Sequence, residues 1–147
     1  MYIATYNVRT LSSEEKLLEL EEELKHIKWD VMGLCEVRRE EENCITLKSG
    51  HPIFYMGNKE KIGGVGLLIH KRHTKNIQQL KGINPRIILC ILKLNKKTSF
   101  KIIQAYAPTS THSDEEWKPT THNLVMDDFI AKLGCKLDGT KVAIGPY

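Results

Sequence analysis

Val31-Met32-Gly33-Leu34-Cys35-Glu36-Val37-Arg38-Arg39 decides how the rest of this chain is read. An apolar run ends in a carboxylate and is met by two arginines. A continuous apolar run preceded by a helical pattern marks a strand buried on both faces, as in a β-α-β unit. Three other runs end on polar groups in the same way: Thr5-Tyr6-Asn7-Val8, Gln104-Ala105-Tyr106-Ala107-Pro108 and Met126-Asp127-Asp128-Phe129. Strands delivering Asn7, Glu36, Tyr106 and Asp128 from their ends would build one polar site.

Upstream of that run, residues 2 to 8 read as a short strand. Ser12 and Glu15 have capping-box spacing, in which each side chain satisfies an amide left open at a helix start. Leu17, Leu20, Leu24 and Ile27 then recur at intervals of three and four, one apolar face of a helix. Its first turns are acidic and its end carries Lys25, His26 and Lys28, an order that suits the helix dipole. The glutamates read as the wet face of a scaffold helix packed on a sheet.

Downstream, residues 38 to 50 are polar and read as irregular. Ile53 to Met56 reads as a strand, Gly57 to Gly64 as a turn and Val65 to His70 as the next strand. A basic connection covers residues 71 to 85, with an extended segment near Ile77 to Leu80. Ile87 to Leu94 and Phe100 to Tyr106 flank Asn95-Lys96-Lys97-Thr98-Ser99, which predicts a hairpin. Pro108 ends its second strand, and Pro119 limits any helix near Asp114 to Lys118 to a turn or two. Leu124 to Phe129 reads as a last short strand. The expected class is a single α/β domain, an α+β layered fold with strands outnumbering helices.

A chain of 147 residues suffices for one domain with a core and is short for two. With 41% hydrophobic and 27% charged residues, it has a globular rather than a disordered composition. No apolar run approaches the roughly 20 residues that cross a bilayer, and the N-terminus lacks the basic and apolar regions of a signal peptide. A nuclear or cytoplasmic, non-secreted and non-membrane protein is expected. Cys35, Cys44, Cys90 and Cys135 are widely spread with no C-x-x-C pair, which argues for reduced structural cysteines over zinc ligands. All six histidines read as surface or turn residues. The net charge of +4 is unevenly placed: Glu14 to Glu23 is acidic, while Lys71-Arg72-His73-Thr74-Lys75 and Lys93 to Lys101 are basic. A polyanion would be met on the basic side only.

Glu36 closes an apolar run, where a carboxylate needs a partner. Arg38 or Arg39 could neutralise it; a divalent cation is the functional alternative. Magnesium takes oxygen ligands, keeps several waters and typically uses one or two carboxylates plus substrate phosphate. Asp128 shares the placement, Asn7 can donate to a phosphate oxygen or orient a carboxylate, and the Tyr106 hydroxyl can reach phosphate. Together these suit phosphodiester hydrolysis, weighed against a plain packed domain.

Four segments also resemble a known family. Thr5-Tyr6-Asn7-Val8-Arg9-Thr10-Leu11, Trp29 to Arg38, Gly63-Gly64-Val65-Gly66 and Tyr106-Ala107-Pro108-Thr109 resemble the endonuclease/exonuclease/phosphatase family in order and spacing. Their wording looks like the endonuclease domain of LINE-type (RTE-like) retrotransposons and the craniofacial-development-protein-like sequences derived from it. The resemblance implies a two-sheet sandwich with flanking helices and DNA phosphodiester cleavage with Mg²⁺ or Mn²⁺. It implies Glu36 as metal ligand and Asn7 beside metal and phosphate. Tyr106 would touch the scissile phosphate, and Asp128 would position water. The basic runs, rather than the resemblance, make Arg38, Arg39, Lys71, Arg72 and Lys75 the candidates to face nucleic acid. Arg86 matches a recurrent arginine with no role attached.

The chain departs from the family in three places. Asp127 stands where the G-D-F-N signature has glycine, and Ile130 where it has asparagine. A side chain with no polar atom makes no hydrogen bond to phosphate, and one such contact is commonly worth ~10²–10³ in rate. The S-D-H segment and its strands have no counterpart before Tyr147. The expectation is therefore one partial domain over 1-147, with an incomplete second half and an exposed sheet edge that favours self-association. Three readings follow: an endonuclease domain, a non-catalytic remnant that binds nucleic acid or another partner, and a sugar or lipid phosphatase of the same superfamily.

Overall fold

The computed structural model describes residues 1 to 106 and the backbone of residues 122 to 127. Two sheets face each other. The first contains β1 (Ile3–Asn7), β2 (Val31–Cys35), β3 (Glu42–Thr46), β4 (Pro52–Met56) and β5 (Val65–Ile69), in the order β1-β2-β5-β4-β3. The second contains β6 (Ile77–Asn84), β7 (Ile87–Lys93), β8 (Ser99–Ala105) and β9 (His122–Asp127), in chain order. One α-helix, α1 (Glu14–Leu24), links β1 to β2, and a 3-10 helix, Lys71–Asn76, follows β5. This is the expected two-sheet α+β class.

β2 is the axis of the first sheet. It runs parallel to β1, with Asn7 beside Cys35, and antiparallel to β5, with Val31 beside Ile69. All five of its residues are buried because its two faces serve two different cores. Met32 and Leu34 point toward α1, meeting Leu17, Leu20 and Leu24. Val31 points between the sheets, with Val65, Leu67, Ile88 and Ile102. The period-two alternation of a strand thus builds both layers from one apolar run. Leu34 is fully buried, and truncating such a side chain to alanine typically costs about 2–5 kcal/mol.

The helix differs in detail from the sequence reading. Its N-cap is Ser13, one residue later than expected, which accepts from the Lys16 amide at 3.4 Å. Ser12 instead bonds the Thr10 hydroxyl. The helix stops at Leu24, so Ile27 lies beyond it and is exposed, and the last turn holds no cation; Lys25 is the C-cap. The leucine stripe was legible; the choice between adjacent serines was not.

Two further differences are in the strands. Residues 42 to 46, whose polar sequence reads as irregular, form β3, which pairs antiparallel with β4 at the sheet edge. Its residues are mostly exposed, so it lacks the apolar run that betrays a buried strand. The extended segment near Ile77 continues to Asn84, with register shifts against β7. The hairpin of β7 and β8 is as expected, with Cys90 opposite Ile102, and β9 joins β8 in parallel. Cys90 is a packing residue whose thiol burial pushes up to about 12. Among the described residues no helix is long and apolar enough to cross a membrane. The predicted proline-limited turns, Asp128 and Ile130 lie outside the described residues.

Candidate functional site

The parallel pairing of β1 and β2 places Asn7 and Glu36 at neighbouring strand ends. The Asn7 amide Nδ2 donates to Glu36 Oε1 at 3.1 Å, and its Oδ1 accepts from the Arg9 amide at 2.9 Å. The side-chain amide is therefore held at both ends, its nitrogen aimed at the carboxylate. Glu36 is mostly buried, with 20% of its side chain exposed, and Arg38 Nη2 donates to its other oxygen, Oε2, at 3.3 Å.

The backbone here is unusual. Arg9, Glu36 and Arg38 all lie in the left-handed region, with φ of 57°, 59° and 51°. Each such non-glycine residue costs on the order of 1 kcal/mol and persists where the surroundings over-determine it. The surroundings are visible: the Arg38 amide donates to Gly63 O at 2.9 Å and the Leu11 amide to Val37 O at 3.0 Å. Gly63 and Gly64 are themselves left-handed, and a Cβ on Gly63 would meet the Tyr106 ring at 3.0 Å. Gly57 is packed still closer, since a Cβ there would lie 1.7 Å from the Arg39 carbonyl oxygen.

Tyr106 follows β8, its amide donating to Arg86 O at 2.8 Å and its ring lying against Gly63. It therefore stands on the same rim as Arg38 through that glycine. Asp128 lies outside the described residues; β9 ends at Asp127, beside Ala105. Arg39 is built into the scaffold: its Nε donates to Leu11 O at 2.7 Å and its guanidinium lies 5.2 Å from the Tyr55 ring centre. Beneath the site, fully buried Gln104 donates from Nε2 to Ala105 O at 3.0 Å and to Cys35 Sγ at 3.1 Å. Its Oε1 finds no partner among the described residues.

The expected nucleic-acid residues do not gather in one place. Because β5 is antiparallel to β2, the 3-10 helix after it, with Lys71, Arg72 and Lys75, stands at the Asp30 end of β2, opposite Glu36. There a second polar cluster forms that the sequence reading passed over as a turn. Asp30 has a side chain 4% exposed and accepts from the Tyr2 amide at 2.6 Å, from Arg72 Nε at 2.8 Å, from Arg72 Nη2 and from His73 Nε2. Burial pushes its carboxyl up, but the Tyr2 amide, His73 and Arg72 together hold it well below the usual carboxylate range. His51 and His70 are not plain surface residues either. They pack around Trp29, with ring centres 4.8 Å and 5.2 Å from the indole and 4.5 Å from each other.

A hard divalent cation fits the first site in donor chemistry. Glu36 offers one carboxylate, toward which Asn7 turns its amide nitrogen rather than its oxygen, and this matches a cation held by one carboxylate and substrate phosphate. Among the described residues no group of three or more His, Cys, Asp or Glu converges on a point. Compared with known proteins, the chain matches no family model and no curated sequence.

Proposed function

We propose that the Asn7–Glu36 end of the first sheet is a phosphodiester-cleaving centre of the endonuclease type, dependent on Mg²⁺ or Mn²⁺ and acting on DNA. One observation carries the reading: Asn7 and Glu36, 29 residues apart in sequence, are hydrogen-bonded at adjoining strand ends, with Glu36 itself on left-handed backbone. Strained backbone held by tight packing is how a fold pre-positions reacting groups.

The chain's own groups have distinct tasks in this proposal. Glu36 supplies the carboxylate that holds the cation, and Asn7 fixes its orientation through Nδ2. Tyr106, on the rim, donates its hydroxyl to a non-bridging phosphate oxygen. Arg38, half exposed, moves from Glu36 to the phosphate as substrate arrives. The cation, when bound, polarises the phosphorus–oxygen bond and lowers the pKa of bound water. Asp128 enters by resemblance alone, as the group that orients water.

A second reading rests on Arg38. Its guanidinium already occupies Glu36 Oε2, one of the two oxygens a cation would use, so the same geometry suits a domain stabilised by an ion pair that binds nucleic acid without cutting it. Ile130 in place of asparagine favours this reading. Nicking of supercoiled plasmid in Mg²⁺ separates the two. Cleavage abolished by Glu36→Ala supports the first; salt-sensitive binding without cleavage supports the second.

A further inference from the structure

At the Asp30 end of β2, the gap between α1 and the loops around His51 and His70 opens into a cleft of about 960 Å³. That volume is at the upper end of the roughly 300–1,000 Å³ usual for small-molecule sites. Three of its lining side chains, Tyr2, Leu18 and Ile27, are large, apolar and exposed. Trp29, His51 and His70 form an aromatic wall.

The charges of the cleft divide into committed and uncommitted. Glu21 accepts from the Ser49 amide and hydroxyl, Glu22 pairs with Lys25 at 2.5 Å, and Arg72 is bound to Asp30. Lys28 and Lys48 also line the cleft, and neither joins an ion pair among the described residues. Glu21 keeps its negative charge, since its Ser49 partners are neutral, so Lys28 and Lys48 leave the cleft with a net positive charge. The imidazoles add donors: His51 Nδ1 accepts from the Lys71 amide at 3.0 Å and His70 Nδ1 from the Arg72 amide at 3.3 Å. With Nδ1 an acceptor in both rings, the neutral proton sits on Nε2, so each ring keeps an N–H to donate.

We propose that this cleft binds a small aromatic anion of the size and chemistry of a nucleoside monophosphate. The base lies against the apolar rim and aromatic wall, and Lys28, Lys48 and the imidazole N–H groups hold the phosphate. Both halves are needed: exposed lysines alone hold a phosphate weakly, and the apolar rim alone has no preference for charge.

Fluorescence of Trp29 reads the binding, with Trp117→Phe removing the chain's other tryptophan. Adenosine monophosphate is titrated beside adenosine and inorganic phosphate, and calorimetry on the unmodified chain repeats the titration independently of that variant. Saturable binding about tenfold tighter than either fragment, weakened about tenfold by Lys28→Ala with Lys48→Ala, supports the proposal. It is overturned by no saturation up to low millimolar concentration, by adenosine or phosphate binding as tightly as the nucleotide, or by a double variant that binds unchanged.

Discussion

The two ends of β2 carry the same chemical elements, a carboxylate and an arginine, arranged to opposite effect. At Asp30 the carboxylate is almost wholly buried, surrounded by four donor contacts and held well below its usual titration range. At Glu36 it is partly open, with one amide and one long, half-exposed arginine contact. The first arrangement is closed by the protein itself. The second leaves oxygen lone pairs toward solvent on backbone that the fold holds under strain. The comparison teaches that the charge pair alone says little; the number of donors and access to water separate a carboxylate sealed by the protein from one left open to other partners.

The sharpest way to break the comparison is to remove each carboxylate. Asp30→Ala should lower unfolding free energy by about 2–3 kcal/mol in urea denaturation, because it leaves the Tyr2 amide and the mostly buried His73 without their acceptor. A loss under about 1 kcal/mol would place Asp30 with the surface pairs. Glu36→Gln should do the reverse, shifting stability by about 1 kcal/mol or less while Mg²⁺-dependent nicking falls by ~10²–10³. Equal stability losses at the two positions would erase the distinction drawn here.

Gln104 sharpens it from below. Its Oε1 is buried without a described partner, so Gln104→Met should raise stability by on the order of 1 kcal/mol in the same denaturation experiment. A clear loss would mean that the Cys35 and Ala105 contacts outweigh the orphaned oxygen.

The smallest effect is in pH. His51 is lowered by burial and by neighbouring His70 and Lys71; His70 is lowered by burial and by Arg72, with Asp30 opposing. Their folded values lie below 6.5, so the unfolded chain binds the protons more readily. Their contribution is intact above that pH and is lost as pH falls through it. Denaturation midpoints should decline modestly from pH ~7.5 to ~5.5, and His51→Gln with His70→Gln should flatten the decline. Asp30, lowered from 3.8, keeps its contribution across that window and loses it only as pH falls below 3.8.

What the sequence disclosed tracks how local each signal is. The β1-α1-β2 unit and the β7–β8 hairpin follow from apolar runs and turn residues a few positions apart. The pairing of Asn7 with Glu36 was readable because both close such runs. Asp30 was passed over because Trp29-Asp30 looks like a turn until Arg72 and His73, more than forty residues on, fold back onto it. β3 was missed for a different reason: an exposed edge strand needs no apolar pattern, only a neighbour to pair with. Gln104 offered one faint clue, a lone amide within an apolar strand.

Gly57 bears on all of this without contributing any functional group. Its α-hydrogen is all that fits beneath the Arg39 carbonyl, so even a methyl there must lift the segment that descends from Glu36. Selection acting on the carboxylate would therefore leave its mark twenty-one positions away, on a residue that has no side chain at all.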